Sequence, residues 1–204
     1  MNAPQPHDLL WGMPPAALPA DAPAWAAQVL AAGQPVVVRR ARCAAGWVAV
    51  GVRGQGRAQR LGVHMRQADV RRQSCPEALR WQGDSPWPAL RALASVAPVL
   101  DASGLAWGPT GGVGYQLATG VNVLHAASDL DLVLRAPEPV TRAKARELLD
   151  ILDCGPCRID VQLETPAGAI ALREWAGVAR RVLLKSALGA QLVTDPWTLL
   201  EHAA

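Results

Sequence analysis

The segment that most constrains this chain runs from Ser128 to Leu134 and reads Ser-Asp-Leu-Asp-Leu-Val-Leu. Polar and apolar residues alternate at its start, and a period of two is typical of a strand with one buried face. On such a strand, Asp129 and Asp131 point to the same side of the sheet. Two carboxylates on one face make a divalent-metal site plausible, so the segment predicts both a strand and a chemical role for one of its faces.

A second strand-like segment carries another carboxylate. Residues 157–164 read Cys-Arg-Ile-Asp-Val-Gln-Leu-Glu, which places Asp160 between β-branched residues. Carboxylates that hold metal ions are typical of phosphoryl and nucleotidyl transfer. From the pattern alone, an edge strand that presents a solvated acidic face remains an open alternative for both segments.

A glycine-rich stretch precedes these two segments. Residues 107–115 read Trp-Gly-Pro-Thr-Gly-Gly-Val-Gly-Tyr, and a short helix is predicted near residues 115–118. Glycine permits close approach of a ligand to the backbone, and the N-terminus of a helix favours anions. Thr110, Gly111 and Gly112 are therefore candidate residues for binding a pyrophosphate, and a tight turn without a ligand is the alternative.

Charge composition restricts the ligands of the chain. The 204 residues carry a formal net charge of +3, and Lys144 and Lys185 are the only lysines. Arginine binds phosphate oxygens bidentately, which favours several phosphate contacts over an extended nucleic-acid surface, so we expect no nucleic-acid partner. Arg39 and Arg40 follow a predicted strand and are candidates for phosphate binding. The alternatives in the second half are Arg173, Arg180, Arg181 and Lys185.

The sequence also bears on the location of the protein. No stretch approaches the roughly 20 apolar residues of a membrane helix, and residues 1–7 lack the pattern of a signal peptide. We therefore expect a cytoplasmic protein without membrane contact. The four cysteines are expected to be thiols, and Cys154 and Cys157 have no assigned role. The four histidines, at positions 7, 64, 125 and 202, are dispersed.

Two unlike parts are expected along the chain, in an α/β (α+β) fold. Residues 1–84 are predicted to form a small β-rich module, with a helix over 21–33, strands over 35–40 and 47–52, and a turn over 51–56. The turn-forming residues 82–88 provide a linker. Residues 85–204 alternate helix and strand, which predicts a mixed sheet flanked by helices.

The elements of the second part follow from apolar periodicity. Leu148, Leu149, Ile151 and Leu152 are expected on the buried face of a helix over 138–152. Another helix is predicted over 87–100, and a last helix begins at Asp195. The predicted strands are 104–107, 128–135, 158–163, 169–173 and 181–184.

The order of these features resembles the nucleotidyltransferase superfamily of the polymerase-beta type. In that superfamily a Gly-Gly or Gly-Ser turn opens a helix, a strand carries an Asp-x-Asp pair, and a later strand brings a third Asp. The corresponding residues here are Gly111 with Gly112, Asp129 with Asp131, and Asp160. Gly112 stands where the superfamily often has Ser.

A second resemblance covers most of the chain and is closer. The chain resembles the malonate decarboxylase holo-acyl-carrier-protein synthases, which are phosphoribosyl-dephospho-CoA transferases. The resemblance implies transfer of the phosphoribosyl-dephospho-CoA unit from triphosphoribosyl-dephospho-CoA to a serine of the acyl carrier subunit of malonate decarboxylase, with release of pyrophosphate. The residues that carry it are 7–11, 38–40, 107–115, 128–132, 159–165 and 195–197.

The roles expected at the site follow from this chemistry. Asp129 and Asp131 are predicted to hold Mg²⁺, which prefers oxygen ligands and commonly needs one or two carboxylates together with phosphates. Asp160 is either a third ligand or the base that orients the serine hydroxyl. Two other functions stay open: a nucleotidyltransferase that uses ATP or another nucleoside triphosphate on a different acceptor, and a non-catalytic module that binds a nucleotide or a partner.

Overall fold

A computed structural model describes residues 3–56 and 58–198 of the chain. Its strands form two sheets, one of five strands and one of six, and five α-helices accompany them among the described residues. The mixed α/β class is confirmed. No helix in these ranges is long and apolar enough to cross a membrane.

The first sheet comprises the β-rich part of the chain. Its strands follow the order β4-β3-β2-β1-β5, and every neighbouring pair is antiparallel. Helix α1 packs on this sheet through Ala26 and Leu30, which join a core of buried valines. The elements are β1 (Leu9–Trp11), α1 (Ala24–Ala31), β2 (Val36–Val38), β3 (Trp47–Arg53), β4 (Arg60–Arg66) and β5 (Arg72–Ser74).

The second sheet is mixed. Its order is β11-β10-β9-β8-β7-β6, and β7 and β8 form the parallel pair that helix α4 connects, whereas the other pairs are antiparallel. The elements are α2 (Pro88–Ala102), β6 (Ala106–Pro109), α3 (Gly111–Thr119), β7 (Leu130–Arg135), α4 (Arg142–Leu152), β8 (Ile159–Thr165), β9 (Gly168–Ala171), α5 (Leu172–Ala176), β10 (Val182–Ser186) and β11 (Gly189–Val193).

Most predicted elements are present, with four corrections of detail. The first strand of the hairpin extends to Arg53 because Gly51 and Val52 still pair with β4, so the turn lies at residues 54–59 rather than 51–56. Strand β9 ends at Ala171, since Leu172 and Trp175 are buried at the three-residue spacing of a helix.

The other two corrections concern α4 and β7. Leu148 and Leu152 of α4 are buried, but Ile151 is 44% exposed and does not belong to the buried face. Strand β7 begins at Leu130, after a turn in which Ser128 Oγ accepts a hydrogen bond from the His125 backbone N–H. Asp129 therefore precedes the strand. The last predicted helix lies largely outside the described residues.

Several contacts join the two parts of the chain. Arg135 of β7 donates from Nε to Glu77 Oε1 at 2.6 Å, and the Tyr115 hydroxyl donates to Gln34 Oε1 at 3.2 Å. Gly108 of β6 lies so close to the Pro76 carbonyl that an added Cβ would overlap it. The division at residues 84 and 85 falls between β5 and α2 and stays a prediction.

Candidate functional site

Asp131 and Asp160 are brought together by the parallel strand pair. They are register partners in the ladder between β7 and β8, and opposed residues of two strands lie on the same face of the sheet. Both side chains line a cavity of about 400 Å³. Asp160 also accepts a hydrogen bond from Arg158 Nε at 3.0 Å, which leaves one carboxylate oxygen for other partners.

Asp129 lies at the entrance to β7, outside the ladder. Burial raises the pKa of the Cys157 thiol, and the negative charge of Asp129 raises it further. Within residues 3–56 and 58–198, no three or more His, Cys, Asp or Glu side chains are grouped closely enough to hold a metal. The structure thus pairs Asp131 with Asp160 in the ladder, whereas Asp129 precedes β7 and stays a predicted ligand.

The glycine turn is built around Asp131. The Thr110 backbone N–H donates to the Asp131 carbonyl at 2.8 Å, and helix α3 begins at the next residue. Gly111 has a φ of +57°, and a Cβ there would overlap Asp131 Oδ2. A side chain at position 111 would therefore displace the carboxylate, which explains the glycine more directly than a need for flexibility.

Thr110 and Gly112 complete this turn. Thr110 is 8% exposed, and its side chain does not cap the helix that follows it. Gly112 faces Leu124 and the Arg53 guanidinium, 3.3 and 3.5 Å from where a Cβ would lie. The three predicted turn residues therefore lie beside the Asp131 carboxylate and an arginine from the other sheet.

A larger cavity, of about 470 Å³, adjoins the first one. It lies between the two sheets and shares His7, Thr110 and Gly111 with the carboxylate cavity. Gly51 and Gly62, which have no side chains, leave room for the Arg39 side chain along the wall of this cavity. The other cationic and aromatic side chains of its lining are Arg53, Arg60 and Tyr115.

Arg53 lines the larger cavity and interacts through its charge with Asp131 of the carboxylate cavity. Burial and the neighbouring Arg60 lower the pKa of Arg53, while Tyr115 and Asp131 act in the opposite direction. Its guanidinium carbon lies 5.2 Å from the centre of the Tyr115 ring, and burial raises the pKa of that phenol. Arg53 was not predicted as a site residue, because its strand ends in a glycine-rich turn typical of exposed loops.

Arg40 has a different partner from Arg39. Its guanidinium pairs with the carboxylate of Glu164 on β8, which is 8% exposed. His7 Nε2 lies 3.5 Å from the same carboxylate oxygen. Burial alone would raise the pKa of Glu164, but His7 and Arg40 together overcome it and hold the pKa below its usual value. Neither His7 nor Glu164 was found from sequence, since 157 positions separate them.

Comparisons with known proteins give a consistent result. A family model described as phosphoribosyl-dephospho-CoA transferase MdcG N-terminal domain matches residues 5–76, and the MdcG C-terminal domain model matches residues 76–196. No solved structure matches the chain.

Several relatives carry the name phosphoribosyl-dephospho-CoA transferase. The protein from Pseudomonas putida strain W619 is 84% identical over 204 residues, with 100% of both chains covered. The protein from Azotobacter vinelandii is 60% identical, with 95% of this chain and 94% of the relative covered. The Pseudomonas aeruginosa protein is 52% identical, with 98% and 97% covered.

Proposed function

Because the chain belongs to the phosphoribosyl-dephospho-CoA transferase family, and is an enzyme of that family, we propose a specific reaction for it. The enzyme transfers the 2'-(5''-phosphoribosyl)-3'-dephospho-CoA group from triphosphoribosyl-dephospho-CoA to a serine of the apo acyl carrier subunit of malonate decarboxylase. The observation that carries this proposal is the Asp131 and Asp160 pair, which lies in a cavity that opens onto the arginine-lined one.

The bonds exchanged define what the site must do. The serine oxygen attacks the first phosphorus of the triphosphate, a new phosphodiester bond forms, and the bond to the second phosphate breaks. Pyrophosphate leaves with the electron pair of that bond. Negative charge develops on the leaving oxygens, so the enzyme needs cationic or N–H groups beside them.

The carboxylate pair fits Mg²⁺ as the cofactor. Asp131 and Asp160 present oxygen ligands on one face, and Mg²⁺ commonly takes one or two carboxylates together with phosphate oxygens. Mg²⁺ would neutralise charge on the phosphates. We assign Asp131 as a metal ligand and Asp160, its register partner, as the second. Asp129, at the entrance to the strand, stays a predicted ligand.

The basic residues divide between the substrate and the protein itself. We assign Arg39, Arg53 and the Gly111 and Gly112 turn to the phosphate groups, since all of them lie at the larger cavity or its border. Thr110 adds a buried hydroxyl at the same place. Arg40 already pairs with Glu164. The phosphate contact predicted for Arg40 would therefore use the same guanidinium as this ion pair.

Two further aspects belong to the proposal. The order of glycine turn, helix α3, the β7 carboxylate and the parallel β8 carboxylate supports a nucleotidyltransferase-like fold for the second sheet. We also place the reaction in the cytoplasm, where both the precursor and the carrier subunit would be available.

Mass spectrometry of the carrier subunit tests the proposed function. Purified apo carrier is incubated with the enzyme, Mg²⁺ and triphosphoribosyl-dephospho-CoA, with parallel tubes that contain ATP only or no metal. We expect a mass gain of one phosphoribosyl-dephospho-CoA unit in the complete reaction only. A gain of AMP in the ATP tube would show general nucleotidyl transfer instead, and no adduct in any tube would contradict the proposal.

A further inference from the structure

His7 has an unusual backbone conformation. Its φ is +77°, and it is the one non-glycine residue with a positive φ among residues 3–56 and 58–198. Left-handed backbone is costly for side chains other than glycine, and such residues cluster at functional sites. Its backbone N–H donates to the Val38 carbonyl at 3.0 Å, which fixes the segment before β1 against the end of β2.

His7 also lies where the two cavities share residues. It lines the arginine cavity and the carboxylate cavity, together with Thr110 and Gly111. The point where the two cavities meet lies between the candidate phosphate-binding residues and the candidate metal ligands. Under the proposed function, the reacting phosphorus and the serine hydroxyl would meet at this point.

The partly buried His7 ring lies beside the buried carboxylate of Glu164. Nε2 lies 3.5 Å from Glu164 Oε1, and that carboxylate is held ionised by the Arg40 guanidinium. A carboxylate beside one ring nitrogen favours the tautomer with its proton on that nitrogen, which leaves Nδ1 with a free lone pair. The arrangement of base and orienting carboxylate is the one used where a hydroxyl must lose a proton.

We propose that His7 is the general base of the reaction and that Glu164 is its positioning residue. This inference rests on the proposed function and deepens it. As the serine oxygen forms its bond to the first phosphorus, its proton passes to His7 Nδ1, and the bond to pyrophosphate breaks. His7 then returns the proton to solvent or to the departing pyrophosphate, so no oxidant or further reactant is needed.

From the sequence, Asp160 is either a third metal ligand or the base, and its surroundings favour the role of ligand and leave that of the base to His7. Asp160 Oδ1 is 2.9 Å from Arg158 Nη2, and Asp160 shares its face with Asp131, where a metal would use its oxygens. His7 is separate from the carboxylate pair in both sequence and element. It therefore can accept a proton while both carboxylates serve the phosphates.

Substitutions at position 7 test this inference without disturbing the backbone. Asn and Gly both adopt positive φ readily, so H7N and H7G should keep the backbone of the wild type and lose only the contact of His7 with Glu164. Single-turnover transfer to the apo carrier should fall by about 100-fold or more in both variants. Binding of triphosphoribosyl-dephospho-CoA, measured by calorimetry, should change little.

Added imidazole separates a catalytic from a structural role. Imidazole fits the space left in H7G and should restore a measurable part of the transfer rate, whereas H7N, which fills that space, should respond less. H64N is the matched control, because His64 is exposed on β4 and does not line either cavity. Its transfer rate should equal that of the wild type, with or without imidazole.

The outcomes distinguish the inference from the function it rests on. Near wild-type transfer by H7N and H7G, or slow transfer that imidazole leaves unchanged while precursor binding is lost, would overturn the role of His7 alone. A wild-type enzyme that forms no carrier adduct would overturn the proposed function, and this inference with it.

Discussion

At the scale of single residues, the site depends on the space and the charge around Asp131. Gly111 leaves no room for a methyl group beside the carboxylate, and the charge of Arg53, from the other sheet, acts on it. The space beside the Asp131 carboxylate therefore depends on Gly111, and the charge near it depends on Arg53. Two substitutions separate these contributions.

Gly111→Ala should abolish carrier modification because its Cβ would overlap Asp131 Oδ2. The positive φ adds a backbone cost of about 1 kcal/mol or more. Gly104→Ala is the matched control, since its φ is +75° and a Cβ there meets nothing within 4 Å. Carrier mass spectrometry and urea unfolding of both variants should show a shared stability loss and a loss of activity in G111A only. Equal activity in the two variants would contradict the steric argument.

Asp131→Asn should lower transfer by about 100-fold or more while the fold is kept, because the amide preserves shape and removes the charge. Asp150→Asn, at an exposed position of α4, should have no effect. Circular dichroism checks the fold, and a single-turnover assay at several Mg²⁺ concentrations checks the activity. Full activity of D131N would remove Asp131 from the metal site.

At the scale of elements, the strand pair β7 and β8 and its connecting helix α4 position the carboxylates. A parallel pair needs a crossover, and α4 provides it while covering the sheet. The face of α4 that is buried therefore decides how firmly the two strands are held.

Leu148→Ala should destabilise the protein by about 2–5 kcal/mol, since Leu148 is 2% exposed in the core. Ile151→Ala should cost about 1 kcal/mol or less, because the residue is 44% exposed. Urea unfolding of the two variants gives the comparison. Similar losses from both would mean that α4 is rotated relative to the packing described above.

Much of the element pattern could be predicted from sequence, for reasons that differ between residues. Alternating Leu and Asp gave β7, and the apolar spacing of Leu148 and Leu152 gave α4. Asp129 was predicted to lie in the strand because the alternation of polar and apolar residues does not reveal the turn in which Ser128 and His125 are hydrogen-bonded. Arg53 had no local signal, and His7 lay in a segment that carries the family resemblance without a role, since what selects both is their nearness to residues far along the chain.

At the scale of the whole molecule, the two sheets are joined by ion pairs that also reach the site. Arg40 of the first part pairs with Glu164 of the second, and His7 contacts the same carboxylate. Glu164 is charged in the folded protein despite its burial. The pair therefore links the stability of the junction to pH.

Arg40→Met should destabilise the protein by about 3 kcal/mol at pH 7, because it leaves the buried Glu164 charge with His7 alone. The pKa of Glu164 is lowered in the folded state, so its contribution is complete above the ordinary glutamate pKa of about 4.3 and is lost as the pH falls through the folded value.

Urea unfolding of wild type and R40M from pH 7 downward measures this effect. The difference in unfolding free energy between the two should shrink below about pH 4. Arg66→Met is the control, since Arg66 stacks on Trp47 at the surface of the first sheet, and its difference from wild type should not follow pH. A difference for R40M that stays constant to about pH 2 would contradict the role of the ion pair.

The two cavities, which share lining residues, also bear on how the two halves of the chain can evolve. The two family models meet at Pro76, yet Arg39, Arg53 and His7 lie on one side of that residue while Asp131 and Asp160 lie on the other. A recombination event at this boundary would split the reaction centre itself. The arginines and the proposed base would then come from one ancestor and the carboxylates from another, so the two halves could be exchanged only between lineages in which they still fit each other.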